Sequence, residues 1–289
     1  MSSVLLRPAR CTDPVPETKL GPLPPPTVLA FGARERAREL IKRGFPRRRG
    51  KLSLVRSRED LLTALRADLV DAVIVDLAQP TEEHWSVAAL ARDFPSIPFL
   101  ALVPLRPADL PHAARACTEF EFADVLAEGV EDAVQRDLVL PLTFTVRFAA
   151  TLQDASEPLG LHGELQQQVW RLIVAHGGRT VRTEALAASV GLTREHLSRR
   201  FSAGGAPNLK RVIDLARILA ASDLAKNPGF DLPDIARVLG FASATHLSGS
   251  CQRVIGVKSA SLARLRPADL IDRFLRQGRG RSRSASAKS

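Results

Sequence analysis

Tyrosine is absent from this chain, tryptophan occurs twice, and aromatic residues make up only 5% of it. Proteins that hold single-stranded nucleic acid stack its bases on aromatic side chains, so that mode has little material here. Cysteine occurs three times, as Cys11, Cys117 and Cys251, widely separated and without C-x-x-C spacing. An odd count with no paired spacing argues against a disulfide framework or a zinc site and leaves three reduced thiols. The six histidines form no H-x-x-x-H or H-E-x-x-H pair, and no nucleophile–base spacing occurs. No metal, no cofactor and no enzymatic activity are therefore expected. Long apolar runs are missing too: Leu69–Ala78 and Ile97–Leu105 are too short to span a bilayer. The N-terminal region has only Val4–Leu6 as an apolar run, which is no secretory core. A cytoplasmic protein without a membrane partner is the expectation.

What the chain does have is an uneven distribution of charge. Its 289 residues carry a net charge of +10 and suffice for two domains with separate cores. Residues 1–26 contribute +1, residues 27–150 contribute −1, residues 151–275 contribute +5, and residues 276–289 contribute another +5. The basic excess thus lies in the second half, where a polyanion would be held, and the aromatic scarcity favours duplex DNA over single strands.

Residues 1–26 are rich in proline and are read as a disordered arm. Residues 27–145 alternate short β-branched runs (Thr27–Phe31, Lys51–Val55, Asp71–Asp76, Pro98–Val103, Ala123–Ala127) with helical stretches, which predicts five parallel strands covered on both faces. Residues 146–160 are read as a linker. Residues 161–270 show helical periodicity alone, in seven segments, and residues 271–289 form a basic Gly/Ser/Arg tail expected to be disordered. The expected architecture is a five-stranded α/β domain followed by an all-α domain. The Arg47–Arg49 run with Lys51 is read as a solvated loop.

Two stretches of the helical region have the make-up of a helix-turn-helix, which needs a supporting helix, a tight turn and a second helix free to enter a groove. In Ala185–Phe201, Leu186, Ala187 and Val190 form an inward face, Gly191 supplies the turn, and Thr193 caps a second helix. Leu197 and Phe201 face inward on that helix, leaving Arg194, His196, Ser198, Arg199 and Arg200 for phosphates or base edges. In Asp234–Ile255, Ile235, Ala236 and Leu239 support, Gly240 turns, and Ser243, Ala244, Thr245, His246 and Ser248 open the second helix as its DNA-contacting residues. The 17-residue helical segment Leu209–Ala225 between the units would be about 25 Å long. A rod of that length can place two recognition helices near one DNA turn apart, about 34 Å.

These residues resemble the double helix-turn-helix domain of the AraC/XylS family over about residues 161–266. The family pattern L-A-x-x-x-G-x-S/T-x-x-x-L-S-R-x-F is filled by Leu186, Ala187, Gly191, Thr193, Leu197, Ser198, Arg199 and Phe201. Arg217 stands at the family's linker-helix arginine, and Ile235, Ala236, Gly240 and Phe241 repeat the pattern in the second unit. The end of the second recognition helix departs from it: Leu247, Ser248, Gly249 and Cys251 stand where the family has F-S-R-x-F. The first unit is therefore expected to carry more of the specificity. The resemblance implies a sequence-specific transcriptional regulator that binds double-stranded DNA as a homodimer, with RNA polymerase as a further partner. A nonspecific architectural DNA-binding protein is the alternative, and a protein whose N-terminal domain only titrates a partner is another.

The five βα units resemble a response-regulator receiver domain. Asp76, at the end of the third strand and four residues before Pro80, stands where receivers have their phospho-acceptor. Receivers also hold Mg²⁺ with an acidic pair after the first strand, where this chain has Phe31–Gly32. Val103–Pro104 replace the Thr/Ser after the fourth strand, and Ala127–Glu128 replace the lysine after the fifth. The expectation is a pseudo-receiver that mediates dimerisation or partner contact, with Asp76 as a capping or hydrogen-bonding residue. A phosphorylation-dependent regulator acting through Asp76 is the alternative.

Overall fold

A computed structural model describes residues 25–45, 50–104, 106–130 and 132–286. The proline-rich arm up to residue 24 and the Arg47–Arg49 run lie outside the described residues. The N-terminal half runs β1 (Thr27–Phe31), α1 (Glu35–Gly44), β2 (Lys51–Val55), α2 (Arg58–Ala67), β3 (Ala72–Asp76), α3 (Glu82–Ala88), β4 (Phe99–Pro104), α4 (Leu110–Phe120), β5 (Asp124–Glu128) and α5 (Asp132–Val139). The strands are all parallel in the order β2-β1-β3-β4-β5. This is a doubly wound sheet of the flavodoxin-like order that receivers share, as the alternation of strand and helix segments predicted.

Side chains alternate across the sheet with the strand period of two. Val28, Ala30, Ile74, Leu100 and Leu102 meet Ala37, Ile41 and Val139 on the α1/α5 face. Leu29, Phe31, Val73, Val75 and Phe99 point to the α2–α4 face, onto Leu61, Leu65, Val87 and Leu90. The central strands β1 and β3 are buried throughout, which accounts for their nearly unbroken apolar sequence.

The helical half contains α6 (Phe144–Thr151), α7 (Glu164–Val174), α8 (Thr183–Ser189), α9 (Arg194–Phe201), α10 (Leu209–Leu224), α11 (Leu232–Val238), α12 (Ala244–Ile255) and α13 (Pro267–Ser286). Residues 146–160, expected to be a linker, are instead packed. Phe148, Leu152, Leu159 and Leu161 are buried, and the Trp170 indole N–H donates to the Leu152 carbonyl at 2.9 Å. The core of the α2–α4 face continues through these residues into the helical half. The segment read as a linker thus passes through shared core.

The last segment differs as well. Residues 271–289 were expected to be disordered, but α13 continues to Ser286, with Ile271 and Phe274 buried. Leu270, Ile271 and Phe274 lie on one helix face, and the Arg211 guanidinium sits 4.8 Å above the Phe274 ring. The expected seventh helical segment is a short 3₁₀ turn over Ser259–Arg264.

Candidate nucleic-acid interface

In the first unit the turn between α8 and α9 is made at Gly191, whose φ of 68° is a left-handed conformation that costs a side-chain-bearing residue more. The Thr193 hydroxyl accepts from the His196 N–H at 3.3 Å, satisfying a donor that the start of α9 would otherwise leave free. Leu197 and Phe201 are fully buried, with Leu186 and Ala187 beneath them. Arg194, His196, Arg199 and Arg200 are exposed and Ser198 is half-buried. Arg194 makes one ion pair, to Glu184 at 3.1 Å, and both side chains are exposed, so a ligand can displace it at little cost.

Gln166 of α7, which the sequence reading did not single out, braces α9 from behind. It is buried, and its amide donates to the Phe201 carbonyl at 2.7 Å and to that of Ala203 at 3.1 Å. A polar residue in line with the inward Val169, Trp170 and Ile173 was the signal available in the sequence.

The second unit repeats this geometry with different chemistry. Gly240 turns at a φ of 66°, and Ser243 caps α12 by accepting from His246 N–H at 3.0 Å. Leu247 and Cys251 are fully buried, and burial pushes the Cys251 thiol up to about 11, so it stays protonated. Thr245 and His246 are exposed, and Ala244 is half-buried. Ser248 is partly engaged, its hydroxyl 2.8 Å from that of Ser259. The His246 ring lies edge-on to Phe241 at 5.7 Å. Gly249 opens onto empty space, and Arg253 pairs with Asp214 at 3.4 Å. The outer arc of α9 carries three arginines, whereas that of α12 carries Thr245, His246 and Gly249, with Arg253 only in its last turn.

Arg217 of α10 serves the fold. Its guanidinium lies 3.8 Å above the Phe241 ring and donates to the Leu239 carbonyl at 3.0 Å, closing the end of α11. Burial pulls its pKa below the ordinary arginine value.

Asp76 lies at the carboxyl edge of the sheet, 2% exposed. Arg34, just after β1, reaches both of its oxygens: Nε donates to Oδ2 at 2.8 Å and Nη2 to Oδ1 at 3.1 Å. The Arg34 and Ala78 backbone N–H groups add bonds at 3.0 and 3.1 Å. The same guanidinium also pairs with Glu128 at the end of β5, and Arg36 approaches Glu128 at 3.7 Å. Burial works against the charged guanidinium, but its hydrogen bonds and charge interactions with Asp76 and then Glu128 prevail and raise its pKa. His84 of α3 packs over Gly32, so a side chain there would collide with its ring. The divalent cation of receivers does not fit this donor set, because Asp76 and Glu128 are bridged by a guanidinium. Among the described residues no group of three or more His, Cys, Asp or Glu could hold a metal. Nothing in the spacing of the sequence pointed to Arg34.

Residues 186–264, from α8 to the 3₁₀ turn after α12, match a family model described as helix-turn-helix domain. No curated protein matches the chain by sequence. Among solved structures, the chain is similar to full-length FixJ from B. japonicum at 15% identity, covering 78% of this chain and 96% of that one, with a TM-score of 0.35. It is similar to a response regulator from Thermotoga maritima at 18% identity, covering 41% of this chain and 97% of that one, with a TM-score of 0.35. A signal receiver domain of an HD domain-containing protein from Pseudomonas fluorescens is 20% identical, with 40% and 92% covered and a TM-score of 0.34. The strand order and the matched motif together define a receiver-like domain joined to an AraC-type helix-turn-helix domain. That is the make-up of a DNA-binding transcription regulator.

Proposed function

We propose that the protein is a sequence-specific regulator that reads two successive major grooves with α9 and α12. The exposed arc of Arg194, His196, Arg199 and Arg200, on a helix whose opposite face is buried, carries this reading. Arginine can bond a guanine bidentately, and bases are discriminated by such pairs. The second helix contributes through Ser243, Ala244, Thr245, His246 and Ser248, none of which has an arginine's paired donors, so it adds register more than base discrimination. The receiver-like domain works without phosphorylation, since Arg34 already holds both oxygens of Asp76. Its exposed Leu110, Val134 and Leu138 on α4 and α5 support self-association into a homodimer.

Selection of bound duplexes from a random pool, followed by competition with scrambled duplex, tests the reading. A defined motif and at least about a hundredfold preference over scrambled DNA are expected. Equal competition by scrambled duplex would leave a nonspecific DNA binder. Arg194→Ala should relax the preference at one base pair by about 1–3 kcal/mol, while an unchanged motif would remove Arg194 from the interface.

A further inference from the structure

The helical half is docked on the amino-terminal edge of the sheet, away from Asp76, and it is held there at two separate places. The first holds the lead-in to α8. Asp71, fully buried just before β3, accepts from Arg179 Nη2 at 2.8 Å, from Thr27 N–H at 2.8 Å, and from the backbone and hydroxyl of Thr145. Arg179 also donates to the Leu69 carbonyl at 3.0 Å and to Thr145 Oγ1 at 2.9 Å. Strands β1 and β3, helix α6 and the α7–α8 loop therefore converge on one carboxylate.

The second place holds the lead-in to α11. The buried Asn227 amide accepts from Ser96 N–H at 2.8 Å, and the Ser96 hydroxyl donates to the Asp223 carbonyl at 3.0 Å. The Gly229 N–H donates to the Asp93 carbonyl at 2.8 Å. Phe94 and Phe230 meet edge to face at 4.9 Å. Arg66 of α2 donates to the Gly229 carbonyl at 3.1 Å and pairs with Asp234 of α11 at 3.4 Å. Between these places runs α10, which packs mainly against α12, α13 and the Ser259–Arg264 turn, and so belongs to the second unit.

From this we infer that the receiver-like domain sets the spacing of the two DNA-reading units, with Arg179–Asp71 and Ser96–Asn227 as the positioning contacts. The inference rests on the reading of α9 and α12 as recognition helices. A DNA turn holds about ten base pairs, so each inserted base pair moves one half-site by about 3.4 Å and about 34° relative to the other. Two units fixed to one sheet cannot follow such a change; two units joined only through α10 and its neighbours can follow it in part.

Two full-length variants separate these cases. Gly229→Ala places a methyl group inside contact distance of the Phe94 ring, at a position whose backbone conformation is ordinary, so the ring or the loop must give way at this docking place. Arg179→Gln removes the ion pair while Asp71 keeps the Thr27 and Thr145 donors. Binding is measured to a selected duplex, to its first half-site alone, and to versions with one base pair added or removed between half-sites. Wild-type protein should lose at least about tenfold on respacing, and each variant less than about threefold, with binding to the single half-site unchanged. The two variants are scored independently, so a fold defect in one, visible as lost half-site binding, leaves the other to decide. Identical spacing profiles in wild type and variants would overturn the inference while leaving the DNA-reading function standing. Tighter binding by the variants at the natural spacing would also overturn it, because docking would then restrain the units instead of aligning them. If wild-type protein selects no motif, the functional reading falls, and this inference with it.

Discussion

Arg34 ties together three strand ends at the carboxyl edge of the sheet, because one guanidinium bonds Asp76 at the end of β3 and Glu128 at the end of β5 from its own place after β1. A bidentate arginine–carboxylate pair is strong and geometrically specific, and here the carboxylate is almost wholly buried. Removing the Asp76 charge leaves Arg34 with Glu128 as its remaining counter-charge. Arg34 is a third exposed, so the loss in Asp76→Asn should be about 1–3 kcal/mol, below that of a fully buried pair. Urea unfolding of wild type and variant measures it, and a midpoint unchanged within error would show the pair to be energetically idle. Small phosphodonors should produce no mass increase at Asp76 in the wild type, since both oxygens are already bonded; a donor-dependent adduct mapped to Asp76 would restore it as a phospho-acceptor. That Asp76 hydrogen-bonds was legible in the missing acidic pair and missing lysine of the sequence. Its partner was not, because Arg34 is 42 residues away and meets it only through the pairing of β1 with β3.

At the scale of elements, helices α9 and α12 follow from local rules: a capping hydroxyl, a glycine turn, and two apolar residues four apart facing inward. α12 carries a weakness that α9 lacks. Gly249 sits on its exposed face with open space around it, where glycine costs a helix about 0.5–1 kcal/mol relative to alanine. Gly249→Ala should raise stability by that amount in thermal unfolding, without affecting the packed face of Leu247 and Cys251. A decrease would mean that the glycine serves a close approach not made in the free protein, such as that of DNA. The basic end of the chain is open to a similar test. Truncation after Gly278 removes Arg279, Arg281, Arg283 and Lys288 and should flatten the dependence of DNA affinity on salt, each lost phosphate contact lowering the slope by about 0.9. Equal slopes would leave this segment without a role in binding. The helix α13 was missed in the sequence because glycine, serine and arginine dominate its outer half. Its inner anchors, Ile271 and Phe274, acquire meaning only from the surfaces of α10 and α12 that they cover.

For the whole molecule, the apolar layer on the α2–α4 face runs without interruption into the core of the helical half, from Leu61 and Phe94 through Phe144 and Trp170 to Leu219. Domains joined by a free linker unfold separately, whereas a shared core couples them. One calorimetric transition is therefore expected, with van't Hoff and calorimetric enthalpies in agreement. Two resolved transitions would show that the docking seen between the halves is too weak to couple them.

The sequence by itself determined the two halves, the parallel order of strand and helix segments, and the outward arc of α9. All of these follow from periodicity, caps and turns within a few residues of one another. The tertiary structure decided what depends on distant partners: the clasp of Arg34 on Asp76, the burial of Asp71 under Arg179, and the fusion of the two cores through residues 146–160. A charged residue reads the same in sequence whether it is solvated or bridging two elements. Only the pairing of strands and the docking of helices bring its counter-charge within 3 Å, and that proximity decides its role.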